Sequence, residues 1–148
     1  MKKLLMIMLA ACLVTLQLNA QNKQDKKDVN AKDVPQAVKS AFESQFANAA
    51  DVEWKMKNGS YKAKFEQNDL DHFAEFNNSG ELVSHGTEVK EGEIPAAVSD
   101  AIKTNYSGSS IDDVYRVEKK GQVKYMVKLN GNNKKLVFDE QGKLVKEK

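Results

Sequence analysis

The chain has 148 residues, 23 of them basic and 21 acidic, with two histidines and a single cysteine, Cys12. Setting aside the leader described next removes Lys2, Lys3 and Cys12, which leaves 21 basic residues against 21 acidic ones and no thiol. Such a chain has no disulfide, thiol nucleophile or cysteine-based zinc site, and its charge balance gives no reason to expect nucleic acid or an anionic membrane as partner. Lys2-Lys3, the apolar run Leu4 to Val14 and the small Ala20 before a polar tract read as a secretory signal peptide over residues 1–20. The run is shorter than the roughly 20 residues needed to cross a bilayer, so the processed chain is expected to have no transmembrane segment and to be periplasmic or secreted. A competing route is lipidation of Cys12 within Leu9-Ala10-Ala11-Cys12, but the apolar Leu13, Val14, Leu16 and Leu18 beyond it favour cleavage after Ala20. Residues 21–33 (QNKQDKKDVNAKD) are polar and are expected to form a flexible lead-in.

The remainder says the same thing twice. VPQAVKSAF begins at Val34 and IPAAVSDAI begins at Ile94. Val34, Val38, Ala41, Phe42 and Phe46 recur at the spacing of one helix face, as do Ile94, Val98, Ala101, Ile102 and Tyr106. Asp33 is the expected N-cap of the first helix, with Pro35 in its first turn, and Asn48 and Gly108 mark the expected ends. The period then drops to two: Val52, Trp54 and Met56 alternate with Glu53, Lys55 and Lys57, and Asn58-Gly59 turns the chain into Tyr61, Ala63 and Phe65. A third strand is expected at His72 to Phe76 and a fourth near Glu81 to His85, with His85 solvated beside the connection between repeats. In the second copy Tyr115 and Val117 align with Trp54 and Met56, Val123, Tyr125 and Val127 with Tyr61, Ala63 and Phe65, and Gly142 to Val145 with Gly80 to Val83. The expected fold class is α+β: a tandem duplication of an α-β-β-β-β unit, over 34–89 and 90–148, in which two copies share an antiparallel sheet and a core with helices packed on one face.

With the paired Val34-Pro35 and Ile94-Pro95 helix openings, the Trp/Tyr-bearing first strands and the paired endings Phe76 to Val83 and Phe138 to Val145, the chain resembles the PepSY-like, β-lactamase-inhibitor-like proteins exported by Bacteroides-type bacteria. The resemblance covers nearly the whole processed chain. It implies helices on one face of an antiparallel sheet and a non-enzymatic periplasmic role, binding or inhibiting another protein. Fold likeness alone does not assign inhibition of a β-lactamase.

Catalytic chemistry finds little support in the residues themselves. Asp69, Asp71 and His72 in EQNDLDHF could make a weak metal or acid/base cluster, but a polar hairpin loop explains them better, and the second copy carries Lys134 in place of the histidine. Neither spacing matches a zinc or calcium loop, and Ser107 to Ser110 reads as a linker without a nucleophile elbow. No catalytic residue, metal or cofactor is expected. On the sheet face away from the helices, Glu53, Lys55, Lys57, Lys64, Glu66, Glu75, Arg116 and Lys128 are expected, together with the candidate partner-binding residues Lys62, Phe73, Lys124, Met126 and Val137. Apolar side chains among charged ones on an open sheet can anchor a protein partner, or they can serve only as cross-strand pairs. The expected function is therefore a cofactor-free binder of an exported or envelope protein or peptide; the alternative is a carrier holding a small apolar ligand between helices and sheet.

Overall fold

The residue before a proline is driven out of the helical region, and this fixes where both helices begin. In the computed structural model, which describes residues 27–131 and 134–147, Val34 and Ile94 are extended (φ −75°, ψ 132° and φ −70°, ψ 130°). Helix α1 therefore starts at Gln36 and runs to Gln45, and α2 runs Ala96–Asn105. The capping positions are Pro35 and Pro95 and carry no side-chain cap, so Asp33 is not the N-cap expected of it. Phe46 and Tyr106 end the helices, ahead of Asn48 and Gly108. The expected signal peptide over residues 1–20, with Cys12, and residues 21–26 lie outside the described residues.

The strands are β1 Lys27–Val29, β2 Ala50–Lys57, β3 Ser60–Gln67, β4 Leu70–Phe76, β5 Leu82–Glu88, β6 Ile111–Lys119, β7 Gln122–Leu129, β8 Lys135–Asp139 and β9 Leu144–Glu147. They form one antiparallel meander in chain order, β1 to β9. Strand β1 corrects the expectation of a flexible lead-in from Lys27 onwards. It pairs with the otherwise open edge of β2, Val29 opposite Trp54, and Asp28 meets Lys55 at 3.5 Å. Val29 packs on the first core as Val89 packs on the second. Each valine is followed by a 3-10 turn, Ala31–Asp33 and Glu91–Glu93. The repeat thus reaches back past the helix to Asp28-Val29 and Glu88-Val89.

Both helices pack on the same side of the sheet, but over separate cores rather than the shared one expected. Val38 and Phe42 meet Trp54, Ala63, Phe65, Ala74 and Phe76; Val98 and Ile102 meet Val114, Tyr125, Val127, Leu136 and Phe138. The first core is aromatic: the Phe42 ring lies 5.2 Å from Trp54, 5.1 Å from Phe65 and 6.3 Å from Phe76, all three edge-on. Ile102 takes the place of Phe42 in the second.

One contact joins the two motifs of each repeat. Gly80 (φ +83°) sits against α1 so closely that a Cβ would lie 2.9 Å from the Ala37 carbonyl carbon, and Gly142 (φ +77°) sits against Ala97 in the same way, at 2.6 Å. The turn glycine and the helix alanine are the two halves of one docking contact. Gly59 (φ +76°) has open space around it, so Gly59→Ala is expected to cost about 1 kcal/mol of left-handed strain. Gly80→Ala adds a backbone clash and is expected to cost about 3 kcal/mol. Urea unfolding of the two variants measures this, and equal losses would show that the turn is not held by the helix.

Candidate functional site

Register decides what the exposed face carries. Bulges between Ala50 and Glu53 in β2, and between Ile111 and Asp113 in β6, precede the regular ladders. Ala63 then pairs with Trp54, while its counterpart Tyr125 pairs with Arg116. Arg116, not Tyr115, therefore occupies the position of Trp54. The helices lie 60 residues apart but Trp54 and Arg116 lie 62 apart, so the second copy takes up two extra residues between α2 and β6, and the two hairpin turns are equal in length. Val114 fills the core at 3% exposure. Arg116, expected outward, is on the helix side; Tyr115, expected inward, is on the open side.

That change places Tyr115 beside Phe73, ring centroids 5.7 Å apart, across the junction between the modules. Phe73 lies over the backbone of Gly86, its partner in the ladder, where a Cβ would come within 2.8 Å of the ring's Cδ1. The Lys62 ammonium caps the same ring at 3.6 Å from its centroid. Phe73 is consequently 8% exposed, a foundation of the face more than its outer skin. Met126 and Val137 are paired neighbours next to Tyr115 and half-buried, and Lys124 stands opposite Val117. All five candidate partner-binding residues, Lys62, Phe73, Lys124, Met126 and Val137, line two adjoining hollows that have Phe73, Glu75, Lys119 and Met126 in common.

Asp71 ties the hollow to the junction. Its carboxylate accepts from the Tyr115 hydroxyl at 3.3 Å and pairs with the Lys64 ammonium at 2.7 Å. Its bond to Asp71 holds the Lys64 ammonium above the ordinary lysine range, and burial followed by the Asp71 charge holds the Tyr115 phenol well above its own.

His72 points the opposite way from Asp71, so the acid/base cluster open to EQNDLDHF is not assembled. On the helix side, His72 Nε2 lies 3.2 Å from the Gln67 carbonyl, which can only accept, so Nε2 carries the proton and Nδ1 is the acceptor. His72 Nδ1 is met by His85 Nε2 at 3.2 Å and by the Thr87 hydroxyl at 3.3 Å. The two imidazoles stack at 5.5 Å between Phe65 and Phe46. His85 thus belongs to β5 and is half-buried, not solvated in a connection. Among the described residues no group of three or more histidine, cysteine, aspartate or glutamate side chains could hold a metal, and no helix is long and apolar enough to cross a membrane.

The family model described as "Putative beta-lactamase-inhibitor-like, PepSY-like" matches residues 20–71 and 59–146. The chain belongs to this PepSY-like family. The two matches on one chain agree with the duplication seen in the sheet. Among solved structures, the PepSY-like chain is similar to a protein of Bacteroides eggerthii described as a putative periplasmic protein, at 23% identity and TM-score 0.71, covering 78% of this chain and 88% of that one. A DUF2874-family protein of Bacteroides ovatus matches at 28% and 0.66, over 77% and 86%. A BLIP-like protein of Bacteroides fragilis matches at 25% and 0.62, over 77% and 85%. No curated protein matches the chain.

Tyr115→Phe keeps the ring contact with Phe73 and removes the bond to Asp71, so a loss of about 1 kcal/mol in urea unfolding is expected. A second expectation concerns pH. Burial, then the charge of His72, hold His85 below the ordinary value of 6.5; Glu118 opposes this and Arg116 adds to it. A base whose folded pKa is depressed binds its proton more readily when unfolded. The stability from this site is therefore full above about pH 6.5 and is lost as pH falls below that value. Urea midpoints measured between neutral and mildly acidic pH should fall, and His85→Gln should flatten that part of the slope.

Proposed function

We propose that this PepSY-like chain is an exported, non-catalytic domain that binds or inhibits another protein or peptide through its open sheet face. The observation that carries the reading is a row of apolar side chains, Tyr115, Met126 and Val137, on the sheet side opposite both helices, with Phe73 beneath them. Isolated apolar residues on a surface need no explanation, but a contiguous set spanning two modules in a hollow is the usual form of an interaction site. The description of the B. fragilis structure as BLIP-like supports the inhibitory form of the reading. The leader expected over residues 1–20 from the sequence and the description of the B. eggerthii protein support the periplasm or secretion.

Two facts set this reading above a ligand carrier or an enzyme. A carrier needs room between helices and sheet, where Phe42 already meets the rings of Trp54, Phe65 and Phe76. An acid/base pair needs convergence, whereas Asp71 and His72 diverge to opposite faces.

The test is capture from an envelope extract of the native host by the immobilised processed chain. Met126→Asp and Val137→Asp should each abolish retention of the captured protein at unchanged melting temperature, while the helix-side Lys103→Glu should retain it. Retention that survives both aspartates would remove the sheet face from consideration.

A further inference from the structure

The charge of the hollow says what kind of partner fits it, an inference that rests on the sheet face being the binding surface. The processed chain is neutral as a whole, 21 basic residues against 21 acidic. The hollow is not. One flank carries Lys57 and Lys62 from β2 and β3, and the other carries Lys119, Lys120 and Lys124 from β6, β7 and the turn between them. Among the described lining residues Glu75 is the one carboxylate, and it accepts from the Ser84 hydroxyl at 3.2 Å.

Three nearby carboxylates, Asp28, Asp71 and Asp139, are already committed. Asp28 holds Lys55, and Asp71 holds Lys64 and Tyr115. Asp139 lies opposite Lys124 in the ladder, yet its side chain accepts from the backbone N–H groups of Gln141 and Lys143 in the β8–β9 turn. Lys57, Lys119, Lys120 and Lys124 enter no ion pair among the described residues. Two lysine flanks therefore stand about four strand spacings apart, roughly 19 Å, with Phe73 and Glu75 of β4 and Ser84 of β5 between them, while the apolar row Tyr115, Met126 and Val137 runs across β6, β7 and β8 beside the second flank. That gap is wider than one extended chain and admits a helix of about 10–12 Å or a hairpin.

We infer that the partner presents an acidic protein segment with large apolar anchors: carboxylates to meet the lysine flanks, and aromatic or aliphatic side chains to cover Tyr115, Met126 and Val137. Charge complementarity sets the approach and the orientation, and the apolar row supplies a contact that a purely anionic polymer cannot use. A polysaccharide or nucleic acid polyanion matches the flanks only.

The experiment uses the full processed chain and four probes: a short labelled peptide of Glu, Leu and Phe; its counterpart with every Glu replaced by Lys; a Glu and Ser peptide without anchors; and heparin. The first is expected to bind, to weaken steeply as salt rises, and to lose about tenfold or more in affinity with Lys119→Glu plus Lys124→Glu. Met126→Ala should weaken it as well, and Lys103→Glu should leave it unchanged. Preference for the Lys peptide, with Met126→Ala still weakening it, would overturn the acidic partner and leave the sheet-face reading standing. Equal binding by heparin or by the anchorless peptide would overturn a protein segment in favour of a polyanion. Binding of the first peptide that ignores both Met126 and the lysines would overturn this inference and the sheet-face reading together, and no binding by any probe would overturn the inference alone.

Discussion

Everything on the open face depends on how two separately cored modules are joined at β5 and β6. The ladder there is short, His85 to Glu88 against Tyr115 to Glu118. Neither helix bridges it, because each sits on its own cluster of buried residues. The helix side of the junction is polar, with His72, His85, Thr87, Arg116 and Glu118 in consecutive rows. The apolar stitching lies on the other side, where Phe73 from the first module packs on Tyr115 from the second. A sheet that would ordinarily turn its second face to water with polar residues is here apolar at the centre, because that is where its halves are fastened. The hollow and the fastening are one structure.

The two modules agree in mechanics and differ in filling. Each uses a proline to stop the chain from entering the helix early, a valine and a 3-10 turn to lead into it, and a left-handed glycine seated on a helix alanine to lock the far hairpin. Inside, one is packed with phenylalanine and tryptophan and the other with isoleucine, valine and leucine. A shared backbone scheme accepts either filling, since burial of about the same apolar volume in ordinary rotamers is what a core requires.

The duplication, the fold class and the strand alternation were legible in the sequence because they rest on local spacing. The Trp54 side of β2 could be read at once, since a bulky apolar residue every second position has one buried face. Three matters turned on longer-range events. Tyr115 looked like the counterpart of Trp54 by size, but the insertion preceding β6 moves that place to Arg116, and no local pattern reports which side of a strand absorbs an extra residue. The polar tract around Val29 read as a tail because a single β-branched residue is weak grounds for a strand; the matching Asp28-Val29 and Glu88-Val89, sixty residues apart, were the available signal. Phe73, Met126, Val137, Lys62 and Lys124 were placed on one face by alternation alone. The burial of Phe73 under Lys62, and the arrival of Tyr115 beside it, needed the fold.

The separation of the cores carries a mechanical meaning. A chain with two hydrophobic centres linked by four ladder positions, one ring contact and the Tyr115–Asp71 bond can flex or part at that link while each half stays intact. Anything lying across the hollow grips both halves, and so behaves as a splint: occupied, the molecule would melt and resist pulling as one body; empty, it would give way first along the line between Gly86 and Val117.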